Sequence, residues 1–253
     1  MTLDLFLAAG AVIVLASLVQ SAAGFGFNML AIPLLILLGF RSFEAITTSL
    51  VCMMIQTSIG VYALQKHIHW KLIAVMFVIS GSMIPLGVLL LESISALRPG
   101  QVRQLFGAVV FIVVLAQWLW PSNPRENVRR FWFVIAMVGS GFLAGMAGMG
   151  GPPVVMWVMA HKWSTERCRA TLWALFCALM PIQVLFLYLQ FDADVLWAAG
   201  RATILVPVTL LGVLPGMWLG HRISKPNLRR VSYVMILLIS FYAIVQPMLI
   251  GHQ

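Results

Sequence analysis

The sequence predicts an all-α integral membrane protein, and three observations carry that prediction. Of 253 residues, 62% are hydrophobic and 9% are charged, too little polar surface to cover a water-soluble core. Apolar stretches of about 20 residues recur from end to end, each long enough to cross ~30 Å of hydrocarbon as a helix. Period-two alternation is missing, which argues against a transmembrane β-barrel.

Ten apolar segments follow in order. Leu3 to Ala23 comes first; no basic residue precedes it, so it is expected to be retained and not cleaved as a signal peptide. Gly24-Phe25-Gly26 interrupts the chain before a short segment, Phe27 to Phe40. Ala45 to Leu64 is the third and opens on Thr47, Thr48 and Ser49. A basic loop with His67 and His69 leads to Trp70 to Leu91, and Val102 to Trp120 completes the first half. After a polar linker, Pro121 to Arg130, Phe131 to Ala147 begins the second half. Gly148-Met149-Gly150-Gly151 then precedes another short segment, Pro152 to Ala160. Ala170 to Leu189, Val195 to Leu219 and Val231 to Ile250 complete the series. Eight segments are long enough to span; the two short ones, of 14 and 9 residues, reach only ~21 and ~14 Å as helix.

The halves resemble each other. Gly24-Phe25-Gly26 matches Gly148-Met149-Gly150 at an offset of 124, and Glu44-Ala45 with Thr47 and Thr48 resembles Arg169-Ala170-Thr171 at about 125. Arg103 matches Arg229 at 126. The expected organisation is two transmembrane repeats, residues 1–122 and 123–253. Five segments per repeat is an odd number, so the second copy should enter the bilayer inverted, a known transporter architecture. Charge agrees. With each short segment either crossing or folding back as a re-entrant hairpin, twelve of the 16 Lys and Arg residues fall on one side. Arg41, Arg98, Arg103 and Arg201 fall on the other. The positive-inside rule places the richer side in the cytoplasm and both termini outside it. The net charge of +9 lies in short clusters between apolar segments, so it reads as loops beside anionic lipid and not as a nucleic-acid surface.

The glycine clusters are the places to look for chemistry. Glycines let backbone unwind and approach a ligand, and the free N–H groups opening a short helix favour an anion. Gly24, Gly26 and Asn28 in one copy, and Gly148, Gly150, Gly151 and Pro152 in the other, are therefore candidate substrate-binding residues. The competing explanation is close helix packing through small residues such as Gly139, Gly141 and Gly145. Thr47, Thr48 and Thr171 are candidate hydroxyl donors, against the plainer role of bonding back to their own helices. Arg201, placed two turns into the ninth segment, is a candidate charge partner, or else snorkels to the interface or pairs with Asp192 or Asp194. Glu44 and Arg169, at the mouths of the third and eighth segments, are candidates for gating or proton coupling, against a role as interfacial anchors.

Other signals are weaker. Cys52, Cys168 and Cys177 have no paired spacing, and His67 and His69 have no further ligands nearby, so neither a metal site nor a cofactor is expected. Ser140 between two glycines resembles a protease nucleophile, but the histidines lie in loops or the tail, so an intramembrane enzyme is disfavoured. A cation or metal permease would want buried carboxylates or ligands in register, and the 15 methionines are scattered. Trp70, Trp118, Trp120, Trp132, Trp163, Trp197 and Trp218 lie near segment ends, as in interfacial belts.

Taken together, Gly24, Gly26 and Pro33 with the Ala45 to Ser49 stretch, then Gly148, Gly150, Gly151, Pro152 and Ala170-Thr171, make the chain resemble the TauE/SafE family of sulfite and sulfonate exporters. The resemblance covers essentially the whole chain. It implies a secondary transporter of a small sulfur-containing anion in a bacterial inner membrane, with protons as a candidate coupling ion. Spacing and composition by themselves reach only a small anion, and leave open a permease for another small ion or metabolite. The oligomeric state is open.

Overall fold

The computed structural model describes residues 3–119, 128–222 and 225–250. The polar linker read from Pro121 onward, with the boundary between the expected repeats, falls largely outside the described residues. Within them the chain is helical: α1 (Leu3–Ala23), α2 (Phe27–Leu37), α3 (Ser42–Leu64), α4 (Trp70–Ser95) and α5 (Pro99–Leu119), then α6 (Arg130–Ala147), α7 (Gly151–Met159), α8 (Thr165–Phe191), α9 (Ala193–Thr203), α10 (Val206–Arg222) and α11 (Lys225–Ile250). Six helices, α1, α3, α4, α5, α6 and α8, are each long and apolar enough to cross a bilayer. The α9–α10 pair adds a seventh span if counted as one. Large apolar side chains such as Val78, Ile112, Leu214 and Leu238 stand outward, as lipid-facing surface does and water-facing surface does not. The protein is a multi-pass membrane protein.

The ninth apolar segment needs correction. Val195 to Leu219 reads as one span, but the chain bends by 55° between α9 and α10. Pro207 accounts for the break: it has no N–H to give the Thr203 carbonyl, its ring would crowd that carbonyl, and it disfavours helical backbone at Val206. The separated α9 buries only Val195, Ala198 and Ala202, spaced three and four apart, and lays that face on α3.

Other ends follow local chemistry. Gly148, at φ 69, closes α6 with its N–H on Ala144 O and the Met149 N–H on Leu143 O, a left-handed cap that only glycine adopts without steric cost. Gly24 (φ 88) ends α1 in the same way, its N–H on Gln20 O. Ser164 caps α8 by accepting from the Arg167 N–H at 3.3 Å. Asp192 (φ 51) turns the chain sharply from α8 into α9.

Helix pairing crosses between the halves. α1 packs on α10, α4 on α6, α3 on α8 and α5 on α11. The short helices sit inside, α2 against α1 and α3, α7 against α6 and α8. Two crossings are close enough to require glycine. A Cβ at Gly141 or Gly145 would overlap Ser80 O or Ile84 O of α4, and one at Gly212 or Gly216 would overlap Val14 O or Leu18 O of α1. Small residues allow this approach where no hydrophobic force acts between helices in lipid. Several buried polar side chains bond between helices. Ser17 Oγ donates to Thr209 O at 2.8 Å and Ser80 Oγ to Met137 O at 3.0 Å. Gln56 Nε2 donates to Ser17 O at 3.1 Å and also to Ser21 Oγ.

Candidate functional site

The two glycine breaks meet. Asn28, one residue into α2, donates from Nδ2 to the carbonyl of Gly148 at 2.6 Å, so the opening of one short helix is bonded to the break that precedes the other. Between them lies a cavity of about 50 Å³. A single water needs about 10–15 Å³ on this measure, so there is room for a few waters or one small oxyanion. Gly26, Asn28, Gly148, Gly150 and Gly151 line it, with Gln20, Ser140 and Gln183. Phe25, Phe27, Met53, Phe176 and Met180 are among its apolar walls.

Each polar group at the cavity has a particular state. Gln20, 1% exposed on α1, accepts the Phe27 N–H on Oε1 at 3.2 Å. That bond caps α2 from a neighbouring helix, and it fixes which end of the amide is nitrogen. Nε2 of Gln20 is buried with no partner. Asn28 Oδ1 is likewise an unpartnered acceptor. Gln183 Nε2 is engaged by Ala144 O. Ser140 Oγ donates to Gly150 O at 2.6 Å, which ties the last turns of α6 to the start of α7. The hydroxyl of the serine that resembles a nucleophile is thus engaged by a backbone carbonyl.

The two glycine clusters are not equivalent at the cavity. Gly24 and Gly148 share a left-handed backbone, but Gly26 (φ 108) is left-handed while Gly150 (φ −67) is helical. Helix α7 opens on Gly151-Pro152-Pro153, and each proline removes an N–H that α2 retains at Asn28 and Met29. The Phe27 N–H is taken by Gln20, so Asn28 and Met29 are the positions where α2 keeps a first-turn donor that α7 lacks.

The remaining sequence candidates lie elsewhere. Gly24 is behind the cavity, where Arg169 packs on it and gives its Nη2 to Ala22 O at 3.0 Å, and Trp173 Nε1 reaches Gly24 O at 3.0 Å. Thr171 bonds back to Arg167 O at 2.8 Å. Thr47 is fully buried with its hydroxyl unpartnered, and Pro152 is buried beside α7's start; neither lines the cavity. Thr48 instead faces a smaller cleft with Glu44 and Arg201. Arg201 stands about half exposed and meets Glu44 Oε1 at 3.4 Å, while Arg41 meets Asp194 Oδ2 at 2.7 Å. This ion-pair group ties the start of α3 to α9. Arg201 is thus a half-exposed charge paired with Glu44.

Gln20 and Gln183 stand out in the sequence only as polar residues within apolar segments, in a set that suits an anion, and are not among the named site candidates; both line the cavity. Their signal was present: each is an amide inside a long apolar helix, where an unsatisfied polar group costs several kcal/mol, roughly. Their convergence on the glycine breaks depends on the packing of α1, α6 and α8. No cluster of three or more His, Cys, Asp or Glu residues suited to a metal occurs among the described residues.

Residues 9–243 match the family described as sulfite exporter TauE/SafE. The chain is also 26% identical, over 217 residues, to a probable sulfite/organosulfonate exporter TauE of Cupriavidus necator, covering 85% of this chain and 84% of that one. No solved structure matches it.

Proposed function

The chain belongs to the sulfite exporter TauE/SafE family, and from that premise we propose that it is a secondary transporter exporting a small sulfur-containing anion, with the cavity between the glycine breaks as its substrate site. The observation that carries this reading is the junction of Asn28 with Gly148. It brings the opening of a short helix, with its outward N–H groups and positive dipole end, to irregular backbone inside the bundle. Such backbone at membrane depth belongs where it lines a protected cavity. Sulfite or sulfonate oxygens would accept from the first-turn N–H groups of α2 and from Gln20, with Gly26, Gly148, Gly150 and Gly151 leaving room for them.

Alternating access between two inverted repeats is the mechanism proposed. The helix pairing supports it: each half's first helix packs on the other half's third long helix, α1 on α10 and α6 on α4, while like helices pair in α3 with α8 and α5 with α11. A two-fold relation between the halves generates that pattern. Rocking of one repeat against the other would then expose the cavity to each side in turn. The Glu44–Arg201 and Arg41–Asp194 pairs would open and close on the face where they lie. The basic loops place the termini outside the cytoplasm on this reading, with the protein in a bacterial inner membrane.

The test is flux in proteoliposomes of the purified protein, with sulfite, sulfoacetate, taurine and thiosulfate offered in turn, with and without a pH gradient. Saturable movement of a sulfur anion that is lost in Gly150→Leu supports the proposal, and response to the gradient reports proton coupling. A folded protein that moves none of them overturns it.

A further inference from the structure

We infer that the cavity selects a singly charged oxyanion, so that of the two forms of sulfite present near neutral pH it takes hydrogensulfite and leaves the dianion. This rests on the substrate site proposed above. Among the described residues, no charged side chain lines the cavity. Arg169 is the cation packed behind the α1–α2 break, and its guanidinium is engaged by Ala22 O. Arg201 is paired with Glu44 in a separate cleft. The walls are mainly phenylalanine, methionine and leucine. Moving an ion from water into such surroundings costs free energy that grows as the square of its charge, so a dianion pays about four times what a monoanion does.

The polar inventory fits the same ligand. One buried donor, Gln20 Nε2, and one buried acceptor, Asn28 Oδ1, are without partners at the cavity. Their orientations are set by the opposite ends of the two amides, Gln20 Oε1 on the Phe27 N–H and Asn28 Nδ2 on Gly148 O. The α2 first turn adds backbone N–H donors, while Pro152 and Pro153 withhold two from α7. A dianion offers only acceptors and would leave Asn28 Oδ1 facing negative oxygen. Hydrogensulfite retains a proton that Oδ1 can accept, and its oxygens can take the Gln20 and backbone donors.

The experiment measures competition for uptake into proteoliposomes by ethanesulfonate and by 1,2-ethanedisulfonate, together with half-saturating total sulfite on either side of neutrality. Ethanesulfonate, a monoanion throughout, should compete equally at each pH, and the disulfonate should be weaker by tenfold or more, roughly. Half-saturating total sulfite should rise by about tenfold for each pH unit above the loss of the hydrogensulfite proton. Gln20→Glu keeps an oxygen for the Phe27 N–H but replaces the free donor with an acceptor. It should weaken ethanesulfonate by about tenfold or more, because a hydrogen bond to a charged group is lost and the ionised carboxylate adds a like charge. Equal competition by the disulfonate, or half-saturation in total sulfite that ignores pH while ethanesulfonate competes normally, overturns the charge selection but leaves the transporter reading intact. Failure of every sulfur oxyanion to bind the folded protein overturns both.

Discussion

The side-chain amide of Asn28 and the carbonyl of Gly148 are hydrogen-bonded at 2.6 Å, 120 residues apart in sequence, and this bond holds the two helix breaks together. Removing the donor in Asn28→Leu leaves a buried carbonyl unpaired, which should cost about 1–3 kcal/mol. Thermal unfolding in detergent should show the loss, and transport should fall further than stability does, because the cavity wall moves. Unchanged flux in Asn28→Leu would separate this junction from the transport site.

Gly26 and Gly148 should differ in their tolerance of alanine. Both have positive φ, which costs an L-residue about 1–2 kcal/mol. At Gly26 (φ 108) a Cβ has room, its nearest neighbour being Val19 Cγ1 at 3.6 Å; at Gly148 (φ 69) it would meet Ile32 Cδ1 at 2.6 Å. Gly148→Ala should therefore be the less stable of the two. Unfolding midpoints for the pair check the order.

The close helix crossings set a sharper contrast. Gly141→Leu and Gly212→Leu force side chains into the backbone of α4 and α1 respectively, and neither variant should yield monodisperse protein on size-exclusion chromatography. At Gly200, in α9, an added Cβ would meet nothing within 4 Å. Gly200→Ala should fold normally and gain up to about 1 kcal/mol of helix propensity.

The pairing of Arg201 with Glu44 should matter more for rate than for stability. Both the 3.4 Å separation and the half-exposed guanidinium place it among surface pairs worth about 0–1 kcal/mol. A double-mutant cycle with Arg201→Gln and Glu44→Gln should return a coupling energy in that range. If the pair acts as a gate, the maximal flux of Arg201→Gln changes while its half-saturating substrate concentration does not.

Much of the architecture was legible in one dimension because a bilayer imposes a single strong rule: every backbone polar group in hydrocarbon must be satisfied within a helix. That rule makes the α1 boundaries, Leu3 and Ala23, readable from hydropathy, and makes the truncated α7 conspicuous. The same rule misled at Val195 to Leu219, where apolar composition runs on through Pro207 and hides a 55° bend. Length and hydropathy register how far a segment is apolar, not where its hydrogen-bond ladder is interrupted.

By itself the sequence determined the membrane class, the helical segments, the paired glycine breaks and the family resemblance, since each is written in local composition or in the order of residues. Tertiary structure decided which of the candidates share a cavity. Gly26, Asn28, Gly148, Gly150 and Gly151 converge with Gln20 and Gln183, whereas Arg201 goes to the largely covered Glu44 and Thr171 to its own helix. The physical reason is that an amide in an apolar helix records only that a partner must exist. Which partner it finds depends on how closely α1, α6 and α8 pack, and that is fixed by contacts between residues far apart in the chain.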